Sequence, residues 1–119
     1  MQRVLSGIEH PTISLLVEVE LHSAVSRKVR VGDLRSTAGR RILALFRRHI
    51  VEGRYHHVPL EDEDYRVAKR WLGDFAIPLQ ALDALHLAVA TTNDLTLLTS
   101  DAGLISAAKK LGIRHQRVA

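Results

Sequence analysis

Several carboxylates lie where the side chains of a binding site are expected. Glu18 and Glu20 come just after a short apolar segment, residues 12–17, and Asp101 comes two residues after the apolar segment 95–99. If both segments are strands of an open parallel sheet, these acids follow the carboxyl ends of the strands, where ligands bind in such sheets. Asp101 also suits the N-cap of the next helix, so a structural interpretation stands beside the functional one.

Asp83 lies near the start of the segment ALDALHLAVA, residues 81–90. Only Asp83 and His86 in this segment are not apolar. A helix that is apolar on every side is a buried helix, so a carboxylate at its start must be compensated by cap hydrogen bonds, a cation or a metal. We interpret His86 as a hydrogen-bonded core histidine. Three acids on three elements can hold one hard divalent cation such as Mg²⁺, which takes oxygen ligands and serves enzymes that act on phosphates.

Composition restricts the other classes of function. The 119 residues are 46% hydrophobic and 25% charged, which is typical of one globular domain, residues 1–119. The chain has no cysteine, which excludes disulfides, thiolate nucleophiles and cysteine-ligated zinc. No apolar run is long enough to span a bilayer, and the N-terminal residues lack the pattern of a signal peptide. We therefore expect a soluble, cytoplasmic protein with no membrane partner.

Positive charge is concentrated in residues 27–54. This segment has nine basic residues against Asp33 and Glu52, a net charge of +7, so the rest of the chain sums to −3. Such a local excess of one sign predicts either a binding surface for nucleic acid or another polyanion, or a solvated helix face.

Strands and helices alternate in the predicted secondary structure, with short connections. This alternation predicts a three-layer α/β/α sandwich with a parallel sheet. The predicted strands are 12–17, 56–60, 95–99 and 115–118, and the predicted helices are 18–30, 36–52 with Ser36 as N-cap, 61–75, 82–91 and 101–111.

Three strings together resemble the PIN-domain family, especially VapC-type toxins. They are ALDALHLA (81–88), LLTSD (97–101) and the upstream VELHSA (19–24), and the likeness runs from about residue 10 to the C-terminus. The resemblance implies an acidic cluster that binds Mg²⁺ or Mn²⁺ and cleaves RNA. It implies Glu20, Asp83 and Asp101 as catalytic and metal-binding residues, with Thr99 supporting them through its hydroxyl. It also implies a homodimer neutralised by a small antitoxin protein.

The choice of Glu20 over Glu18 depends on this motif. On a helical wheel Glu18 lies nearer the apolar arc of the helix, so periodicity alone leaves both acids open.

The likeness has one large departure. Family members open with a hydrophobic strand that ends in an aspartate, and nothing of this kind precedes Thr12. We therefore expect a PIN-like domain that is N-terminally incomplete relative to the family, without the usual central strand and first acidic ligand. The flanking strands then pair directly, a second subunit fills the gap, or residues 2–8 enter as a substitute strand. We favour direct pairing or dimerisation, because residues 2–9 have the pattern of a helix end.

Two functional hypotheses follow. The first is a metal-dependent ribonuclease of the VapC type, in which metal-bound water attacks the phosphorus of RNA. The alternative is a catalytically inactive PIN-like remnant that acts as an RNA-binding or protein-interaction module. The residues predicted to contact RNA are Arg27, Lys28, Arg30, Arg40, Arg41, Arg47 and Arg48.

Overall fold

The computed structural model describes residues 4–6, as backbone, and residues 12–118. These residues form an α/β fold, which confirms the predicted class. None of the helices in this part of the chain has the length and apolar character needed to cross a membrane. The elements are β1 (Val4–Ser6), β2 (Thr12–Ser14), α1 (Leu15–Arg30), α2 (Ser36–Val51), β3 (His56–Val58), α3 (Asp62–Gly73), α4 (Ala81–Thr92), β4 (Thr96–Thr99), α5 (Ala102–Leu111) and β5 (His115–Arg117).

The five strands form one sheet in the order β3-β2-β1-β4-β5. β2 and β3 pair in parallel, as do β4 and β5, whereas β1 is antiparallel to both of its neighbours. Because β2 and β4 are each antiparallel to β1, they run in the same direction. Their carboxyl ends, at Ser14 and Thr99, therefore lie at the same edge of the sheet, which is the arrangement that the predicted site requires.

The central position of the sheet is occupied by β1, so the favoured prediction of direct pairing between the flanking strands is wrong. Leu5 pairs with Thr12 on one side and with Leu97 on the other. Residues 2–9 were predicted to form the end of a helix, and this prediction is wrong for residues 4–6, which form a strand. The other residues of that segment lie outside the described residues. The less favoured alternative, a substitute strand, describes what the structure shows. A strand in this slot pairs backbone groups of both neighbours that would otherwise be buried without partners.

Several element boundaries also differ from prediction, and two of them have an identifiable cap. The first predicted strand ends at Ser14 rather than Val17, because the Ser14 side chain caps α1 by accepting a hydrogen bond from the Leu16 N–H at 3.2 Å. The predicted N-cap of α2, Ser36, is instead its first helical residue. Arg35 is the N-cap there and makes no side-chain cap hydrogen bond.

The core is built around α4, which confirms the prediction of a buried helix. Residues 86–90 are all at most 1% exposed. On one side Ala84 and Ala88 pack with Val67 and Ala68 of α3, and on the other Leu87 clusters with residues of β4 and α5. A helix held on several sides in this way is a rigid base for side chains on its first turn.

We predict that β1 is needed for stability. Leu5→Pro removes one backbone N–H from a strand paired on both sides, and should lower the free energy of unfolding by at least about 2 kcal/mol. Chemical denaturation measures the change. Arg117→Pro in the edge strand β5 is the control, because Val118 donates to Thr99 and the N–H of Arg117 therefore points away from β4. Equal stability of the two variants would contradict a central β1.

Candidate active site

The two acids of α1 that the sequence left open point to different sides of the helix. Two residues of α-helix correspond to a rotation of about 200°, so neighbours of this spacing cannot share a face. Glu18 accepts a hydrogen bond from His57 Nε2 of β3 at 2.6 Å, whereas Glu20 accepts one from His86 Nε2 of α4, also at 2.6 Å. The contact partners therefore distinguish the two acids.

The pair of Glu20 and His86 is nearly removed from solvent. The His86 side chain is 1% exposed and the Glu20 side chain 11% exposed. His86 is thus a hydrogen-bonded core histidine, as its position predicted, and it holds the Glu20 carboxylate against α4. Asp83 lies three residues before His86 and so on the same face of α4, which brings Asp83 to the side of the helix that faces Glu20.

Asp101 is fixed at the start of α5, which confirms its predicted role as N-cap. Its Oδ1 accepts a hydrogen bond from the Leu104 N–H at 3.0 Å. Its own N–H donates to Thr99 Oγ1 at 3.1 Å, and Thr99 is 1% exposed. The hydroxyl at the end of β4 and the first turn of α5 together set the position of the Asp101 carboxylate.

Glu20, Asp83 and Asp101 line one cleft of about 580 Å³. The three acids predicted from separate parts of the sequence thus meet at the edge of the sheet where β2 and β4 end. We call this the acid cleft. Its other lining residues are Pro78, Leu79, Gln80, Ala81, Leu82 and Gly103.

Gly103 is a part of the acid cleft that the sequence interpretation missed. A Cβ atom at this position would lie 3.3 Å from Asp101 Oδ1, so any larger residue crowds the carboxylate. The signal was available in the spacing, because Gly103 follows Asp101 by two residues in the first turn of α5. The remaining lining residues, from Pro78 to Leu82, had no comparable signal in the sequence.

The donor set of the acid cleft suits a hard cation. Carboxylate oxygens are the ligands that Mg²⁺ takes, and Mg²⁺ usually keeps several of its waters. Among the described residues, however, no three His, Cys, Asp or Glu side chains are close enough together to hold a metal ion. The acids therefore surround the cleft without forming a closed ligand shell, and the ligand chemistry fits Mg²⁺ only with waters completing the coordination.

A second, smaller groove of about 390 Å³ adjoins the acid cleft. The two share Glu20 and Leu82, and the second one also contains two of the predicted RNA-binding residues, Arg27 and Lys28. We call it the basic groove. Its full lining is Val19, Glu20, Ser23, Ala24, Arg27, Lys28 and Leu82.

The other predicted RNA-binding residues lie elsewhere on the helical hairpin. Arg30 and Arg40 line a cleft between α1 and α2, where the Arg30 guanidinium also donates to Ser26 Oγ at 2.6 Å. Arg41, Arg47 and Arg48 are exposed on α2. Of the predicted RNA-binding residues, only Arg27 and Lys28 thus line a groove that shares residues with the acid cleft.

Comparison with known families gives this arrangement a context. The PIN domain family model matches residues 2–110. The chain belongs to the PIN domain family. PIN domains are in general nucleases that depend on a divalent metal, which agrees with acids gathered at the carboxyl ends of parallel strands. A comparison with curated proteins found no match.

The predicted resemblance to the PIN-domain family is thus confirmed, whereas the finer predictions stay predictions. They are the VapC type and the N-terminal incompleteness of the domain. The site roles of Glu20, Asp83, Asp101 and Thr99 are likewise predictions, to which the structure adds their common location.

Proposed function

We propose that this PIN domain is a metal-dependent ribonuclease of the VapC type. The observation that supports the proposal most is the convergence of Glu20, Asp83 and Asp101 on the acid cleft, since these residues come from α1, α4 and the start of α5. Carboxylate oxygens lining one cleft are the type of ligand that a hard divalent cation takes, together with water. Family membership supplies the nuclease chemistry.

The residues of the chain contribute positioning. His86 holds the Glu20 carboxylate, and Thr99 holds the backbone of Asp101. Asp83 lies on the rigid first turn of the buried helix. Glu20, Asp83 and Asp101 would be the residues that bind Mg²⁺ or Mn²⁺. Such an ion supplies neutralisation of the charge that develops on a phosphodiester and lowers the pKa of a bound water.

The basic residues support RNA as the substrate. Arg27 and Lys28 lie in the groove that adjoins the acid cleft, and exposed arginines of α2 extend the positive surface. Phosphate contacts by such residues position a nucleic acid without selecting its sequence.

We propose a homodimer and a small antitoxin protein as the assembly and partner of this ribonuclease. Apolar side chains exposed on α2 support an interface, because Ile42 is 41% exposed and Leu45 49% exposed. Light scattering of the purified protein measures the assembly, and copurification of the product of a neighbouring reading frame tests the antitoxin.

Removing either of two acids should weaken metal binding and cleavage while preserving the fold. We predict that Asp83→Asn and Asp101→Asn each lower Mn²⁺ affinity at least about tenfold and abolish most Mg²⁺-dependent RNA cleavage, because a negative ligand is lost. Asn caps a helix about as well as Asp, so Asp101→Asn should keep α5 intact. Calorimetry and an RNA cleavage assay measure the two effects.

Asp62→Asn is the matched control for this experiment. Asp62 is an exposed aspartate in the first turn of α3, so its replacement removes the same charge from the same kind of helix position, outside the acid cleft. The proposal is contradicted if the cleft variants and Asp62→Asn titrate Mn²⁺ identically to the unmodified protein.

Charge reversal should separate RNA binding from solubility. Changing Arg40, Arg41, Arg47 and Arg48 to Glu should weaken RNA binding and reduce the log–log salt slope by roughly 0.7 for each lost phosphate contact. The control reverses four exposed charges on other helices, at Lys69, Arg70, Lys109 and Lys110. An unchanged slope, or an equal change in the control, would show that α2 has a solvated face and no RNA-binding surface.

One observation favours the alternative, an inactive PIN-like module that binds RNA or protein. The central strand β1 is Val-Leu-Ser and has no carboxylate, whereas the resemblance implies an acid at the end of the first strand. RNA that binds but is not cleaved in Mg²⁺ or Mn²⁺ would favour this alternative over the ribonuclease.

A further inference from the structure

The basic groove combines two kinds of surface. Val19 and Leu82 contribute exposed aliphatic side chains from two different helices, with exposed fractions of 63% and 44%. Arg27 and Lys28 contribute positive charge further along α1. Such a surface matches a ligand with one flat apolar part and one anionic part.

The basic groove runs along α1. Val19, Ser23 and Arg27 are spaced by four residues and so follow one stripe of α1. Seven residues separate Glu20 from Arg27, which corresponds to about 10 Å along the helix. The cations are therefore too far away to contact a phosphate bound in the acid cleft near Glu20. They are well placed to contact the next phosphate along an extended ligand.

We propose that the basic groove is a subsite for one unpaired nucleotide of RNA next to the phosphate that is cleaved, an inference that rests on the proposed function. The face of the base packs on Val19 and Leu82, and the neighbouring phosphate binds Arg27 and Lys28. Continuity with the acid cleft and the complementary charge select RNA as the occupant. In a duplex the base faces are stacked inside the helix, so the groove selects single-stranded RNA.

Binding is measured in the Asp83→Asn variant without metal, so that no RNA is cleaved. The probes are a labelled single-stranded oligouridylate and a blunt RNA hairpin, compared by fluorescence anisotropy. Val19→Ser and Leu82→Ser should each weaken binding of the single strand about fivefold, which corresponds to about 1 kcal/mol. Their salt slopes should not change, whereas Arg27→Gln and Lys28→Gln should each lower the slope by roughly 0.7.

The chain offers exposed aliphatic controls for both apolar positions. Val31 is 63% exposed, as Val19 is, and Val51 at the end of α2 is another exposed aliphatic residue, at 81%. Neither control residue lines the basic groove. Val31→Ser and Val51→Ser should therefore bind the single strand like the parent protein, and thermal unfolding checks that all four variants fold.

Three results would overturn the inference. They are equal binding by the groove variants and their controls, tighter binding of the hairpin than of the single strand, and a loss of self-association without a loss of RNA binding in Val19→Ser. If Val19→Ser does not fold, Leu82→Ser decides. A parent protein that cleaves no RNA would count against the proposed ribonuclease alone, because the binding measurement needs no cleavage.

Discussion

The geometry of the candidate site depends on one hydrogen bond, between His86 Nε2 and the Glu20 carboxylate. It joins α1, which starts at the end of β2, to α4, the buried centre of the core. A hydrogen bond to a charged group contributes about 1.5–3 kcal/mol, and burial excludes water as a competitor for both partners. This contact sets the position of the Glu20 carboxylate relative to α4, the helix that also carries Asp83.

The sheet supplies the second constraint, because it brings the ends of β2 and β4 to one edge. That relation passes through β1, which pairs with both strands and runs opposite to both. Helix N-caps close to the strand ends then fix where the next helices begin. Ser14 starts α1 directly after β2, and Asp101 starts α5 two residues after β4. Asp101 therefore lies close to the sheet, whereas Glu20 lies further along α1 and is positioned by that helix and by His86.

Sequence reasoning found the parts of this arrangement that have a local signal. Segment 81–90 was predicted as a buried helix because almost every residue in it is apolar. A cap was one of two interpretations of Asp101, because its type and position suit a helix start, and its metal-binding role stays a prediction. The choice between Glu18 and Glu20 needed a motif, because a helical wheel gives the apolar side of a helix but not the neighbour that packs there.

The failures have equally physical reasons. A strand of three residues, such as β1, is too short to show a period of two, and its pairing partners are set by the tertiary structure. The basic groove could not be predicted either, because Val19 and Leu82 are far apart in sequence and line the same groove only in the folded chain.

The position of β1 also governs when the sheet can be completed during synthesis. Val4 pairs with Leu98, nearly the whole length of the chain away. The ribosome therefore releases β1 long before its β4 partner exists, and the parallel pair of β2 and β3 is available to form first. Contacts of such long range slow folding, because the entropy of closing the chain must be lost before the pairing stabilises it. The strand β1 is thus synthesised before β4 but is among the last to be paired on both sides.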